Sequence, residues 1–129
     1  MNIMCPQPIW RQFIYESEEW ERLLTFLKQE NVFYKSRLAE VVNAVNDNET
    51  LITSENFNDN FLLQDKMIDF LSGELKEHNG LLEKSLYIDG EPSGEVIRNQ
   101  KKLRTDIQKA EEIFTRTKKS FSIFIEELL

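Results

Sequence analysis

The chain has 129 residues, 40% of them hydrophobic and 30% charged, with a net charge of −7 at neutral pH. This length suits one ordinary domain that buries a core without metal or disulfide staples, and the spread of Phe, Leu, Ile and Val along it excludes a disordered chain. The acidic balance argues against binding a phosphate backbone, whose affinity rests on Lys and Arg.

The charge is uneven: residues 1–47 carry −2, residues 48–90 carry −6 and residues 91–129 carry +1. The one basic cluster, Arg98, Lys101, Lys102 and Arg104, reads as a solvated helix face, so no nucleic-acid partner is expected. Cys5 is the single cysteine. It permits no intrachain disulfide and fits a reducing compartment. The opening residues Met1 to Pro8 lack a cationic segment followed by an apolar core. No run approaches the roughly 18 apolar residues of a membrane span. The expected location is the cytoplasm.

Prolines and glycines, the strongest breakers, are confined to Pro6, Pro8 and Pro92 and to Gly73, Gly80, Gly90 and Gly94. From Trp10 a 3–4 spacing runs unbroken through Phe13, Ser17, Trp20, Leu24, Leu27, Asn31, Tyr34, Leu38, Val41 and Val45. Sustained 3–4 spacing marks a helix with a bundle or coiled-coil seam. The first helix is therefore placed at about 9–46, with Pro8 where a helix start tolerates it.

Asp47-Asn48-Glu49-Thr50 is rich in helix-weak residues and reads as a reversal. Leu51 and Ile52 are expected to fold over the core's end, and Ser54 to cap a second helix at about 54–87. Its seam is Phe57, Phe61, Gln64, Ile68, Leu71, Leu75, His78 and Leu82. Gly80 either caps this helix near 79 or lies within it. Tyr87 and Ile88 are expected to pack over the bundle end. Asp89 to Gly94 is the clearest loop. The third helix, about 94–128, carries Val96, Gln100, Leu103, Ile107, Ala110, Phe114, Thr117, Phe121, Phe124 and Leu128 in the same alternation of fours and threes. No stretch alternates as a strand does. The fold is read as all-α, a single domain over 1–129. Three long helices pack like a coiled coil in an antiparallel up-down bundle.

With Trp10 as heptad position a, the first helix carries apolar residues beyond its seam: Leu23 at g, Phe26 and Phe33 at c. The second helix repeats this with Met67 at g, Leu63 and Phe70 at c. Clustered exposed apolar groups mark an interaction surface. These six residues are read as a self-association face; a broader internal core is the other reading. Asn31 at a seam position either fixes register and oligomer state or faces a solvated gap.

Chemistry is hard to find. A dinuclear metal site in a bundle needs a Glu-x-x-His pair on each of two helices. The sole histidine, His78, has Leu75 three residues before it, with Glu74 the only carboxylate that shares its face. A bundle histidine that accepts phosphoryl groups is followed by Lys and Gly at +3 and +4, where this chain has Leu81 and Leu82. His78 is thus read as a partly exposed seam residue near a helix end. Cys5 lacks an evident base, and no phosphate-cradling glycine loop occurs. No catalytic, cofactor or metal residues are assigned. The chain reads as a non-enzymatic structural or partner-binding bundle protein, a homodimer or the partner of another helical protein. The alternative is a ligand-binding protein or enzyme with a pocket between the helices near Trp20, Asn31 and Tyr34.

Overall fold

A computed structural model describes residues 8–88 and 90–128. Three helices account for nearly all of them: α1 (Pro8–Ala44), α2 (Asn48–Ile88) and α3 (Gly94–Leu128). At about 1.5 Å per residue, each exceeds 50 Å. Three-residue and five-residue connections leave them antiparallel in sequence order, so α1 and α3 run parallel. α2 packs closely along both neighbours, whereas α1 and α3 approach each other least.

The heptad seams bury as their spacing requires. Every α1 seam position from Trp10 to Leu38 is buried, as are those of α2 from Phe61 to Leu82. In α3 the buried row is Val96, Gln100, Leu103, Ile107, Ala110, Phe114 and Phe121. The apolar core falls into two clusters. The larger runs from Trp20 and Leu103 to Phe121; the smaller joins Trp10, Phe13, Leu82 and Val96 at the other end. Aromatic rings dominate the far end of the large cluster. Tyr34 stacks on Phe61 with centroids 6.0 Å apart, and Phe121 meets the Phe61 ring edge-on at 5.2 Å.

The second helix begins earlier than its composition implies. Asp47, not Ser54, caps it: the Asp47 carboxylate accepts a hydrogen bond from the Thr50 amide at 2.9 Å, and the Asp47 carbonyl accepts one from Leu51. Glu49 then lies in the first turn, where a negative charge complements the helix dipole. A good cap thus overrides three residues of weak propensity. Ser54 sits seven residues before Phe61 on the same seam and is buried. Leu51 and Ile52 lie in the first turns of α2 rather than across the bundle end, and Ile52 is exposed. At the other end Gly80 is inside the helix, which continues to Ile88. Ile88 is exposed; the side chain of Tyr87 lies outside the described residues, as does Cys5.

Gly90 closes α2. Its φ of +73° is the left-handed conformation that side chains resist. In that conformation its amide donates to the Ser85 carbonyl at 3.1 Å, and its carbonyl accepts from the buried Trp10 indole at 3.2 Å. Ser93 caps α3 through its hydroxyl to the Val96 amide.

The glycines separate turn from helix in a measurable way. Gly90→Ala is expected to lower stability by about 1–2 kcal/mol, the cost of a side chain in the left-handed region. Gly73→Ala, in mid-α2 with open space around its Cβ, is expected to raise it by about 0.5–1 kcal/mol. Urea midpoints of the two variants check both signs.

Candidate functional site

Heptad positions e and g decide which neighbour each face of a helix meets, and polar pairs show the outcome. On α1, the e residues Glu21, Lys28 and Lys35 reach α2. Lys28 pairs with Asp69 at 2.9 Å, Lys35 pairs with Asp65, and Asn79 donates to Glu21 at 2.8 Å. The g residues of α1 reach α3, with Glu16 on Arg104 at 2.6 Å and Glu30 on Lys118 at 3.3 Å. On α2, the g residues Glu74 and Leu81 line a small cleft with Asn99 and Lys102 of α3. The c positions of α1 and α2 therefore both lie beyond a face turned to α3, on opposite sides of that helix.

This geometry places the six residues assigned to an interaction face. Phe26 is 53% exposed and Phe33 61%, with Leu63 at 61% and Phe70 at 60%. Leu23 and Met67 are half-buried and pack against the large core. The six form two stripes separated by α3: Leu23, Phe26 and Phe33 on the α1 side, Leu63, Met67 and Phe70 on the α2 side. The g position of α3 adds Ile113, 40% exposed, a surplus apolar residue that the same heptad count, extended to α3, identifies in the sequence.

Trp20, Asn31 and Tyr34 are packed into the seam, and the main clefts are lined by other side chains. Asn31 faces no solvated gap. It is fully buried, and its amide donates to the Phe61 carbonyl and to Asp65, each at 2.7 Å. Burial pushes the Asp65 carboxyl up. Hydrogen bonds from Lys35 and Asn31, with the charges of Lys35 and Lys28, outweigh it and hold the group below the usual aspartate value.

His78 departs most from expectation. It is 2% exposed, in the interior of α2. Its Nε2 is hydrogen-bonded to Gln100 Oε1. The Gln100 amide donates to the Phe13 carbonyl at 3.4 Å and to Glu16 at 3.2 Å. Gln100 Oε1 is therefore the acceptor and His78 Nε2–H the donor. Glu16 in turn receives Arg104 through two bonds, at 2.8 and 2.6 Å. A four-residue bridge thus joins all three helices between the two apolar clusters. The Arg104 hydrogen bond is the largest influence on Glu16. Burial opposes it, the Gln100 amide and the Arg104 charge reinforce it, and the carboxyl stays below its ordinary value of 4.5.

Among the described residues no group of three or more His, Cys, Asp or Glu side chains is placed to hold a metal ion, and no helix is long and apolar enough to cross a membrane. The architecture is that of an all-α three-helix bundle. The chain matches no known family model, no curated protein and no solved structure.

Two measurements test the bridge. Gln100→Ala leaves the His78 N–H unpartnered in the core and is expected to cost about 3 kcal/mol, read from the urea midpoint. Because the folded Glu16 value is depressed, its stabilisation is complete above the unfolded value near 4.5 and vanishes as pH falls through the lower folded value. Glu16→Gln is therefore expected to flatten the acid limb of the stability–pH curve while leaving its slope above pH ~6 unchanged.

Proposed function

We propose that this chain is a non-enzymatic helical-bundle protein that works by self-association, with the Leu23, Phe26 and Phe33 stripe of α1 as its meeting surface. The observation that carries this reading is the pair Phe26 and Phe33, seven residues apart on one face and each more than half exposed. Each forgoes burial worth about 1.5–3 kcal/mol while it faces water, which favours covering the stripe.

The occupant proposed is a second copy, because each chain offers the other the same pair of exposed rings, Phe26 and Phe33, at the same spacing. The flanking charges, Glu19 with Arg22 and Arg37 with Glu40, are paired within the helix, so neither pair brings net charge to the contact. When two α1 helices pair antiparallel about the midpoint of the two rings, Phe26 of each copy faces Phe33 of the other. The ring of Phe33 then enters the shallow cleft of about 270 Å³ beside Phe26, which Arg22, Thr25 and Gln29 also line. A two-fold contact of this kind closes on itself and stops at a dimer. The α2 stripe, Leu63 with Phe70, stays uncovered in such a dimer and is the place for another helical partner. A cytoplasmic setting accords with a chain that has a single cysteine.

Wild-type protein is expected to be dimeric at about 100 μM, well above a micromolar dissociation constant. Phe26→Glu with Phe33→Glu buries charge in that contact, which costs several kcal/mol unless paired. The double variant is expected to be monomeric with its helical circular dichroism retained, since the seam is untouched. A wild-type monomer at that concentration, or a double variant that stays dimeric, overturns the proposal.

A further inference from the structure

A cavity of about 300 Å³ opens between α1 and α2, lined by Ile14, Ser17, Glu18, Asn79, Leu82, Glu83 and Leu86. It has a simple origin. Ser17 occupies an a position of the α1 seam where neighbouring turns carry Trp10 and Leu24, and a serine leaves that layer underfilled. The cavity lies on the α1–α2 face, clear of the aromatic stripes. Its volume is at the lower end of small-molecule sites.

The lining has a definite chemical sense. Ile14, Leu82 and Leu86 supply an apolar wall, while Glu18 and Glu83 bring two carboxylates from opposite helices. Neither carboxylate forms an ion pair among the described residues, although Arg22 is near enough to Glu18 to feel its charge. Among the described residues no Lys, Arg or His lines the cavity. Two deeper polar atoms also lack a partner among the described residues, Ser17 Oγ and Asn79 Oδ1. Ser17 is only 4% exposed. The Asn79 amide nitrogen already donates to Glu21, so the oxygen it leaves over is an acceptor. A buried acceptor without a donor is unfavourable. Acceptors and negative charge gather around an apolar slot, and the matching ligand is a donor-rich cation with an aliphatic body.

We infer that this cavity is a binding site for a small aliphatic ammonium, its chain against Ile14, Leu82 and Leu86 and its charged head toward Glu18, Glu83 and the orphaned oxygens. A free amine suits the slot better than a lysine side chain of a partner protein. The shorter lysine stem, held on a backbone outside the groove, leaves much of the volume unfilled. The site is independent of the proposed dimer, whose contact uses the outer face of α1.

Titration of the full chain with n-hexylammonium, followed by the NMR shifts of the Asn79 side-chain amide and the Leu82 and Leu86 methyl groups, tests this. Saturation is expected at a dissociation constant of about 1 mM or tighter. Its neutral isostere n-hexanol is expected to bind at least about tenfold more weakly, and hexanoate more weakly still. Ser17→Leu fills the slot and is expected to abolish the shifts while raising the urea midpoint, so lost binding cannot be mistaken for lost folding. Glu18→Gln with Glu83→Gln is expected to weaken the amine about tenfold and leave hexanol unchanged. Equal binding of hexanol and hexylammonium, no saturation by about 10 mM amine, or undiminished amine binding in the Ser17→Leu variant overturns the inference. So does selective binding of a blocked lysine amide over the free amine, because it places a partner's side chain in the slot.

Discussion

Among the described residues the side-chain amide of Gln100 is the one group that ties its own helix to both of the others. It belongs to α3, accepts from His78 of α2 and donates to the backbone and Glu16 of α1. Long helices with a uniform apolar seam can slide by a heptad with little penalty, because leucine-like knobs fit equivalent holes. A buried amide cannot slide. A shift of one heptad separates Gln100 from His78 and Glu16 together, leaving several polar groups unpaired in a low-dielectric core. The bridge therefore sets the register of three helices, and the caps at Asp47 and Ser93 then fall where the connections can be short.

That register has consequences far from the bridge. It aligns Glu16 with Arg104 and Glu30 with Lys118 along the α1–α3 edge, and Lys28 and Lys35 with Asp69 and Asp65 along the α1–α2 edge. The exposed pairs, Lys28–Asp69 and Lys118–Glu30, add little to stability, while Glu16–Arg104 and Lys35–Asp65 are half-buried. All four penalise the wrong neighbour, since charges of like sign meet when the helices exchange places. Once the e and g faces are committed, the c faces of α1 and α2 have no neighbour left among the described residues. The outward direction of Phe26, Phe33, Leu63 and Phe70 thus follows from the interior arrangement. The same layer also explains the cavity beside Ser17. The polar bridge splits the apolar core in two, and small Ser17 near the split leaves space on the side facing away from α3.

Much of this was legible in the chain. The 3–4 alternation located the seams because burial in a bundle depends on helical phase alone, and phase is a property of spacing. Phe26 and Phe33 were recognisable as surplus for the same reason. The start of α2 was not. Asn48, Glu49 and Thr50 have weak intrinsic helix preference, but the decisive quantity is the hydrogen bond that Asp47 offers the Thr50 amide, and composition does not register it. Ser54 misled in the complementary way: a serine near an acidic residue resembles a cap, while its place on the seam seven residues before Phe61 held the better clue. The chain alone presents His78 as a partly exposed seam residue, since no partner lies near it in sequence, whereas it is buried. Its partner is Gln100, on another helix, and polar residues at seam positions of two helices could have been read as candidates for each other. The division of the apolar surplus into two stripes required knowing which helix each flank meets. Single-helix periodicity does not hold that information.

The distribution of polar and apolar residues is partly inverted, and this inversion links the interior to the surface. Ser17, Asn31, Ser54, Gln64, His78, Ser85 and Gln100 are inside, while Phe26, Phe33, Leu63 and Phe70 are outside. For stability alone, exchanging members of the two groups improves the isolated bundle, since buried polar pairs seldom outperform well-packed apolar ones. The arrangement is economical only if each half meets another requirement. Inside, specificity of register meets it, because an all-apolar seam of this length admits several alignments of similar energy. Outside, the proposed self-association meets it, because exposed rings gain free energy when covered. An interior built for one alignment also holds Phe26 and Phe33 at fixed spacing on a stiff helix. A recognition surface needs that property, because little side-chain or backbone order then remains to be lost on association.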